Sequence, residues 1–283
     1  MRAISTVVDV TLCLLLVSAG VVALTLPVTE PPPDRDVDEV GSVLGTTSAT
    51  VSYQLSPDQL SPSAADTIED PLYTERHRHG TVAGLLARAA ISDATLDGEQ
   101  LAPEASDYRE TVREETRNVI PATMSVTARW EPYPDAAIAG VVSAGESPPE
   151  TATVQTATLS VPVPEFAVDA ALEGADSYEA VARPTARAIV DGTLPAAYGE
   201  TSTSDELAIR SVTHRASVLA GNESLPAAQY LFAGDVSGLH DRVTDELTAR
   251  LTADLRAQFE SPEAASEAVS PGVVTVTVRG WTA

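Results

Sequence analysis

Residues 236–278 read VSGLHDRVTDELTARLTADLRAQFESPEAASEAVSPGVVTVTV, and this stretch decides the fold class. Its first half places Leu239, Val243, Leu247, Leu251, Leu255 and Phe259 at every fourth position. That spacing makes one apolar stripe on a long helix, predicted over Val236–Phe259. Ser261-Pro262 supplies the stop. Its second half alternates Val274, Val276 and Val278 with Thr275, Thr277 and Arg279, the two-residue period of a half-buried strand over Val273–Val278. No glycine-rich turn leads from a strand into a helix anywhere in the chain, which argues against a nucleotide-binding α/β fold.

The same two periods recur upstream. Thr50–Leu55 alternates, as does Met124–Trp130, where Met124, Val126, Ala128 and Trp130 share a face. A third alternating run covers Thr153–Val163, and Pro162 and Pro164 place it at a sheet edge. Helices are expected at Gly80–Asp93 and Ser106–Asn118. Another starts at the capping box Thr203-Ser204-Asp205-Glu206, buries Ile209, Val212, Ala216 and Leu219, and stops at Gly221. A helix over Ser177–Asp191 should start late or break at Pro184. Pro132–Glu150 reads as a loop with a short apolar stretch at Ala136–Val142. Two segments share a helix, a proline and a strand ending in arginine and tryptophan: Tyr108–Trp130 (SVTARW) and Val243–Trp281 (TVTVRGW). They fit a duplication or, more plainly, two similar strands of one sheet. The sum is an α+β fold, a mostly antiparallel sheet of about four strands packed by amphipathic helices.

Three segments divide the chain: an N-terminal membrane anchor at 1–26, a Pro/Asp-rich linker at 27–48, and an acidic extracytoplasmic α+β domain at 49–283. Val10–Leu26 carries no charge. With the residues before it, the run is long enough for a transmembrane helix. Arg2 precedes it; Asp34, Asp36, Asp38 and Glu39 follow it. The positive-inside rule keeps the N-terminus cytoplasmic and sends the domain outside, as a single-pass protein of the cell membrane. The competing reading is a signal peptide cleaved after Gly20.

Charge narrows function further. There are 41 acidic and 17 basic residues, for a net charge of −24, and every basic residue is arginine. Such a surface repels itself in dilute buffer and is relieved by molar salt. This fits salt adaptation; a GC-rich genome, poor in lysine codons, is the alternative. Nucleic-acid and phosphate binding are disfavoured, because no arginine cluster offsets the acidic field. The lone Cys13 lies in the apolar run, which excludes an intramolecular disulfide and Cys–His catalysis.

No motif for catalysis, cofactor or metal emerges, so no enzyme activity and no cofactor are expected. Glu75-Arg76-His77-Arg78-His79 could offer two imidazoles on one side of a strand, but its arginines repel a cation, and a solvated polar loop or helix start is the expectation. His214 and His240 read as isolated surface or capping residues on helices. Asn222-Glu223-Ser224 is an N-glycosylation acceptor, consistent with an exterior loop. Asp9 interrupts the anchor, either as a tolerated interfacial acid or as an acid that binds a partner within the membrane.

The anchor VVDVTLCLLLVSAG, the acidic ectodomain and the Val-Thr-rich strands resemble uncharacterised haloarchaeal single-pass membrane proteins associated with type IV pilus-like systems. Two features depart from a type IV pilin: no basic-glycine processing site precedes the apolar run, and Pro27, Pro31, Pro32 and Pro33 end its helix at the membrane surface. The resemblance implies a non-enzymatic, minor-pilin-like cell-surface component, with pilus-like or envelope protein subunits as partners. A surface-anchored hydrolase and a solute-binding receptor are the alternatives.

Overall fold

The structure is a computed structural model and describes residues 36–60, 75–168, 172, 174–194, 206–221 and 225–282. The expected anchor, with Asp9 and Cys13, and the Asn222 acceptor lie outside these residues. Among the described residues no helix is long and apolar enough to cross a membrane. The compact unit spans Val37–Ala283.

The fold class is α+β with antiparallel sheets. The chain runs through α1 (Val37–Thr46), β1 (Ser48–Gln54), β2 (Glu75–Thr81), α2 (Val82–Ser92), β3 (Thr95–Leu96), β4 (Glu99–Gln100) and α3 (Ser106–Val119). It continues through β5 (Met124–Trp130), β6 (Ile138–Gly145), β7 (Thr153–Pro162), α4 (Tyr178–Thr193), α5 (Glu206–Ala220), α6 (Ala227–Phe232), α7 (Val236–Gln258), α8 (Pro262–Ala268) and β8 (Val273–Thr282). Among the described residues there is a six-stranded sheet, ordered β4-β3-β6-β5-β8-β7, and a separate two-stranded pair, β1-β2. The sheets therefore hold more strands than the four expected.

The two similar strands pair directly. β5 lies antiparallel to β8, with Val126 opposite Val278 and Trp130 opposite Val274. This supports the plainer reading of two strands in one sheet. β7 sits at the edge, as its prolines require. The inner face carries Met124, Val126, Ala128 and Trp130 from β5 and Val274, Val276 and Val278 from β8, all buried. Trp130 anchors it: its Nε1–H donates to the Pro271 carbonyl at 2.8 Å, and its ring meets Phe166 edge-on at 5.5 Å. A buried indole keeps its polar edge satisfied in this way.

Four expectations need correction. The segment assigned to the linker contains α1, which buries Val37, Val40 and Leu44 and packs against β7 and β8. The domain therefore begins near Val37 rather than at 49. Its acidic first turn (Asp38, Glu39) looks like linker composition, yet it complements the helix dipole. The segment read as a loop at Pro132–Glu150 contains β6. Its inner positions include Gly140 and Ala144, and small residues are what the packing demands. A Cβ on Gly140 would sit 2.0 Å from the Ala90 carbonyl oxygen of α2. α4 runs through Pro184 without a break. A proline inside a helix costs about 3 kcal/mol. The buried face of Val181, Ala182, Ala186, Ile189 and Val190, packed largely on α7, outweighs it. Finally, the segment expected as a polar loop or helix start is a strand, β2, which has no apolar side chain at all, so no hydrophobic period marks it.

α2 takes its N-cap from Thr81, whose hydroxyl accepts from Gly84 N–H at 3.1 Å. The β3–β4 hairpin turns at Asp97-Gly98, both with positive φ (54° and 85°), the requirement of a two-residue type I′ turn.

Candidate functional site

β1 and β2 place alternate residues on opposite sides. On the outer side, His77 Nδ1 lies 2.8 Å from the Ser52 hydroxyl and His79 Nδ1 lies 3.0 Å from that of Thr50. Both imidazoles are exposed, and among the described residues no group of three or more His, Cys, Asp or Glu is placed to hold a metal ion. On the other side, Arg76 and Arg78 are half-buried and enter a cleft of about 350 Å³.

Four arginines line this cleft: Arg76 and Arg78 from β2, Arg88 from α2, and Arg215 from α5. Only one carboxylate, Glu104, lines it among the described residues. This overturns the expectation that no arginine cluster forms. The four are spread from position 76 to position 215 and become neighbours only when the β1–β2 pair, α2 and α5 meet. Against a net charge of −24, the lining has inverted sign.

Glu104 sits in the short 3₁₀ turn Pro103–Ala105 and is 1 % exposed. Its Oε1 accepts from Arg215 Nη2 at 2.6 Å and from the Ser211 hydroxyl. Arg215 also donates to the Thr193 carbonyl at 3.2 Å, tying α5 to the end of α4. Burial alone would raise the Glu104 pKa. The Arg215 charge and the hydrogen bonds from Ser211, Arg215 and the backbone reverse this and hold it below the usual carboxylate value. Nearby, buried Arg109 donates to the Ser92 and Ala102 carbonyls at 3.0 and 2.8 Å and pairs with Asp93 at 3.3 Å. Its pKa is lowered, chiefly by burial.

The opposite wall is aromatic. Tyr53 and Tyr108 pack with ring centroids 4.8 Å apart, and Tyr108 donates to the Leu85 carbonyl at 3.1 Å. Burial pushes the Tyr108 hydroxyl well above its ordinary pKa, so it stays neutral. Arg88 pairs with Glu165 at 2.5 Å.

His214 and His240 both bridge elements. His214 Nε2 lies 2.9 Å from the Gln100 carbonyl oxygen, and His240, only 5 % exposed, has Nδ1 3.0 Å from Asp191 Oδ1. His240 is thus an interior residue joining α7 to α4, which its isolated position in the sequence did not show.

No curated protein and no solved structure matches the chain. A family model described as "Family of unknown function (DUF7284)" matches residues 8–281, from within the apolar N-terminal run to the end of β8. With nearly its whole length matched, the chain belongs to that family of unknown function.

Proposed function

We propose that this protein is a non-enzymatic, membrane-anchored cell-surface protein, an accessory or minor-pilin-like subunit of an archaeal envelope assembly, whose outward-facing domain works by binding. One observation carries the binding reading: four arginines line one cleft of a strongly acidic chain. Beside them Glu104 is held toward the anion, and burial holds Tyr108 toward the neutral phenol. A general acid or base is most effective with a pKa near the operating pH. Guanidinium groups, in contrast, stay charged and serve recognition. The uncharged run Val10–Leu26 supports the anchor, and the family match reaches into that run as well as across the domain. Asp9, just before the run, is the partner-binding acid, and Asn222 is the glycosylation acceptor.

Affinity purification of the full chain from membranes, with mass spectrometry of its N-terminus and of Asn222, tests this reading. The intact chain should be recovered with other membrane proteins of the envelope. Asp9→Ala should lose them while the circular dichroism of the domain is unchanged. Recovery of the intact chain in the cytoplasmic fraction contradicts the anchor. Retention of every partner by Asp9→Ala contradicts the role of Asp9.

A further inference from the structure

We propose that the cleft bounded by β2, α2 and α5 is a binding site for a small organic carboxylate with an apolar body. Arg78 is its recognition residue. Strand alternation sets Arg78 on the inner side of β2, opposite His77 and His79, where it is half-buried. Its charge helps to lower the Glu165 pKa from a distance, but it makes no hydrogen bond and no ion pair with any described residue, in a chain with 41 acidic side chains. A half-buried guanidinium is ordinarily matched to a carboxylate, because its desolvation is otherwise uncompensated. Its planar fork binds a carboxylate through two parallel hydrogen bonds. Such short contacts survive the molar salt in which longer-range attraction is screened within about 3 Å.

Two neighbouring guanidinium groups are already held, Arg88 by Glu165 at 2.5 Å and Arg215 by Glu104 at 2.6 Å. Arg76, the fourth arginine of the lining, donates through Nη1 to the Glu75 carbonyl at 2.9 Å. The planar fork of Arg78 then meets the ligand, and its shape matches one planar carboxylate. The walls ask for an apolar body: Leu55, Ile91, Leu101 and Phe166 line the same space, beside the Tyr53–Tyr108 pair. At about 30 Å³ for each water-sized group, a cleft of about 350 Å³ holds roughly a dozen non-hydrogen atoms. That is the size of an arylalkanoic acid. The site stands on the domain's own residues and does not depend on the anchor or on Asp9.

The test is calorimetric titration of the full chain, in mild detergent and molar potassium chloride, with 3-phenylpropionate as probe. Three comparisons accompany it: 3-phenylpropanol, which keeps the body and removes the charge; phenyl phosphate; and acetate. Saturable 1:1 binding of 3-phenylpropionate is expected. The alcohol and acetate should each bind at least tenfold more weakly. Arg78→Gln should weaken the probe about tenfold, equivalent to ~1.4 kcal/mol, and Arg78→Lys, which keeps the charge and loses the fork, should fall between. Arg183→Gln, whose residue pairs with Asp245 between α4 and α7, should bind as the unaltered chain does.

No saturable binding up to about 10 mM, a Kd weaker than ~3 kcal/mol of affinity, overturns the proposal. So does equal binding of the alcohol, which would mark a merely apolar pocket. Tighter binding of phenyl phosphate than of the carboxylate replaces the ligand class. Unchanged affinity in Arg78→Gln removes the recognition role. If Arg78→Gln fails to fold, the comparison of acid with alcohol on the unaltered chain decides alone.

Discussion

The inner face of the six-stranded sheet and the arginine cleft are both buried, yet they are built in opposite ways. At the sheet, Val126, Ala128, Trp130, Val274, Val276 and Val278 are 0–1 % exposed, and the indole Nε1–H has its carbonyl partner. At the cleft, Glu104 and Ser211 are also buried, but they are held by hydrogen bonds to specific atoms, as is Arg109 nearby. Apolar burial is non-directional and tolerates small shifts. A buried carboxylate is stable only while its partners remain. The sheet therefore sets which elements form, and the cleft sets how the β1–β2 pair, α2 and α5 are aligned.

Substitutions can sharpen this contrast. Trp130→Ala should be the most damaging, at about 3–5 kcal/mol, because it opens a cavity and strands the Pro271 carbonyl. Urea unfolding of the full chain measures it; a loss under ~1 kcal/mol would show that the sheet core is not the main source of stability. Glu104→Ala should cost about 3 kcal/mol by leaving Arg215 buried without its carboxylate. If it is neutral, the pair is dispensable and the cleft owes its alignment to apolar contacts. Gly140→Ala should cost about 1–3 kcal/mol, since its methyl group would strike the α2 backbone at Ala90.

Acid unfolding separates the regions again. The Glu104 pKa is depressed in the folded chain, so its stabilisation is complete above the unfolded carboxylate value of about 4.3. It is lost as pH falls through the lower folded value. Glu104→Gln should thus be less stable than the unaltered chain at pH 7, with the difference shrinking below about pH 4. A constant difference across that range would mean the group titrates normally. The smallest effect belongs to the α4–α7 surface. Arg183 and Asp245 are 54 % and 60 % exposed, and Arg183→Ala should shift stability by no more than ~1 kcal/mol.

The same contrast explains what could be read from the sequence. β5, β8, α2, α3 and α7 carry their burial as a visible period, so they appeared within a residue or two, apart from the longer end of β8. β6 did not, because its inner positions include Gly140, which must be small to admit α2, and Ala144, and so the alternation is weak. α1 hid Val37, Val40 and Leu44 among an aspartate, a glutamate and two glycines. β2 has its period in arginine and histidine rather than in apolar residues. In Glu75-Arg76-His77-Arg78-His79 the alternation that puts the histidines on one side puts the arginines on the other, toward the cleft. The cleft itself was illegible. Arg76, Arg88, Glu104 and Arg215 come together through tertiary packing, and no local spacing encodes that meeting.

The central claim is that Arg78 is kept for a ligand and not for the fold. Urea unfolding of the unaltered chain and of Arg78→Gln, each with and without 3-phenylpropionate, tests it most directly. The account predicts equal or higher stability for the variant alone, and a ligand-induced rise in midpoint for the unaltered chain only. A variant that is less stable by more than ~1 kcal/mol, yet still stabilised by the carboxylate to the same extent, would contradict it.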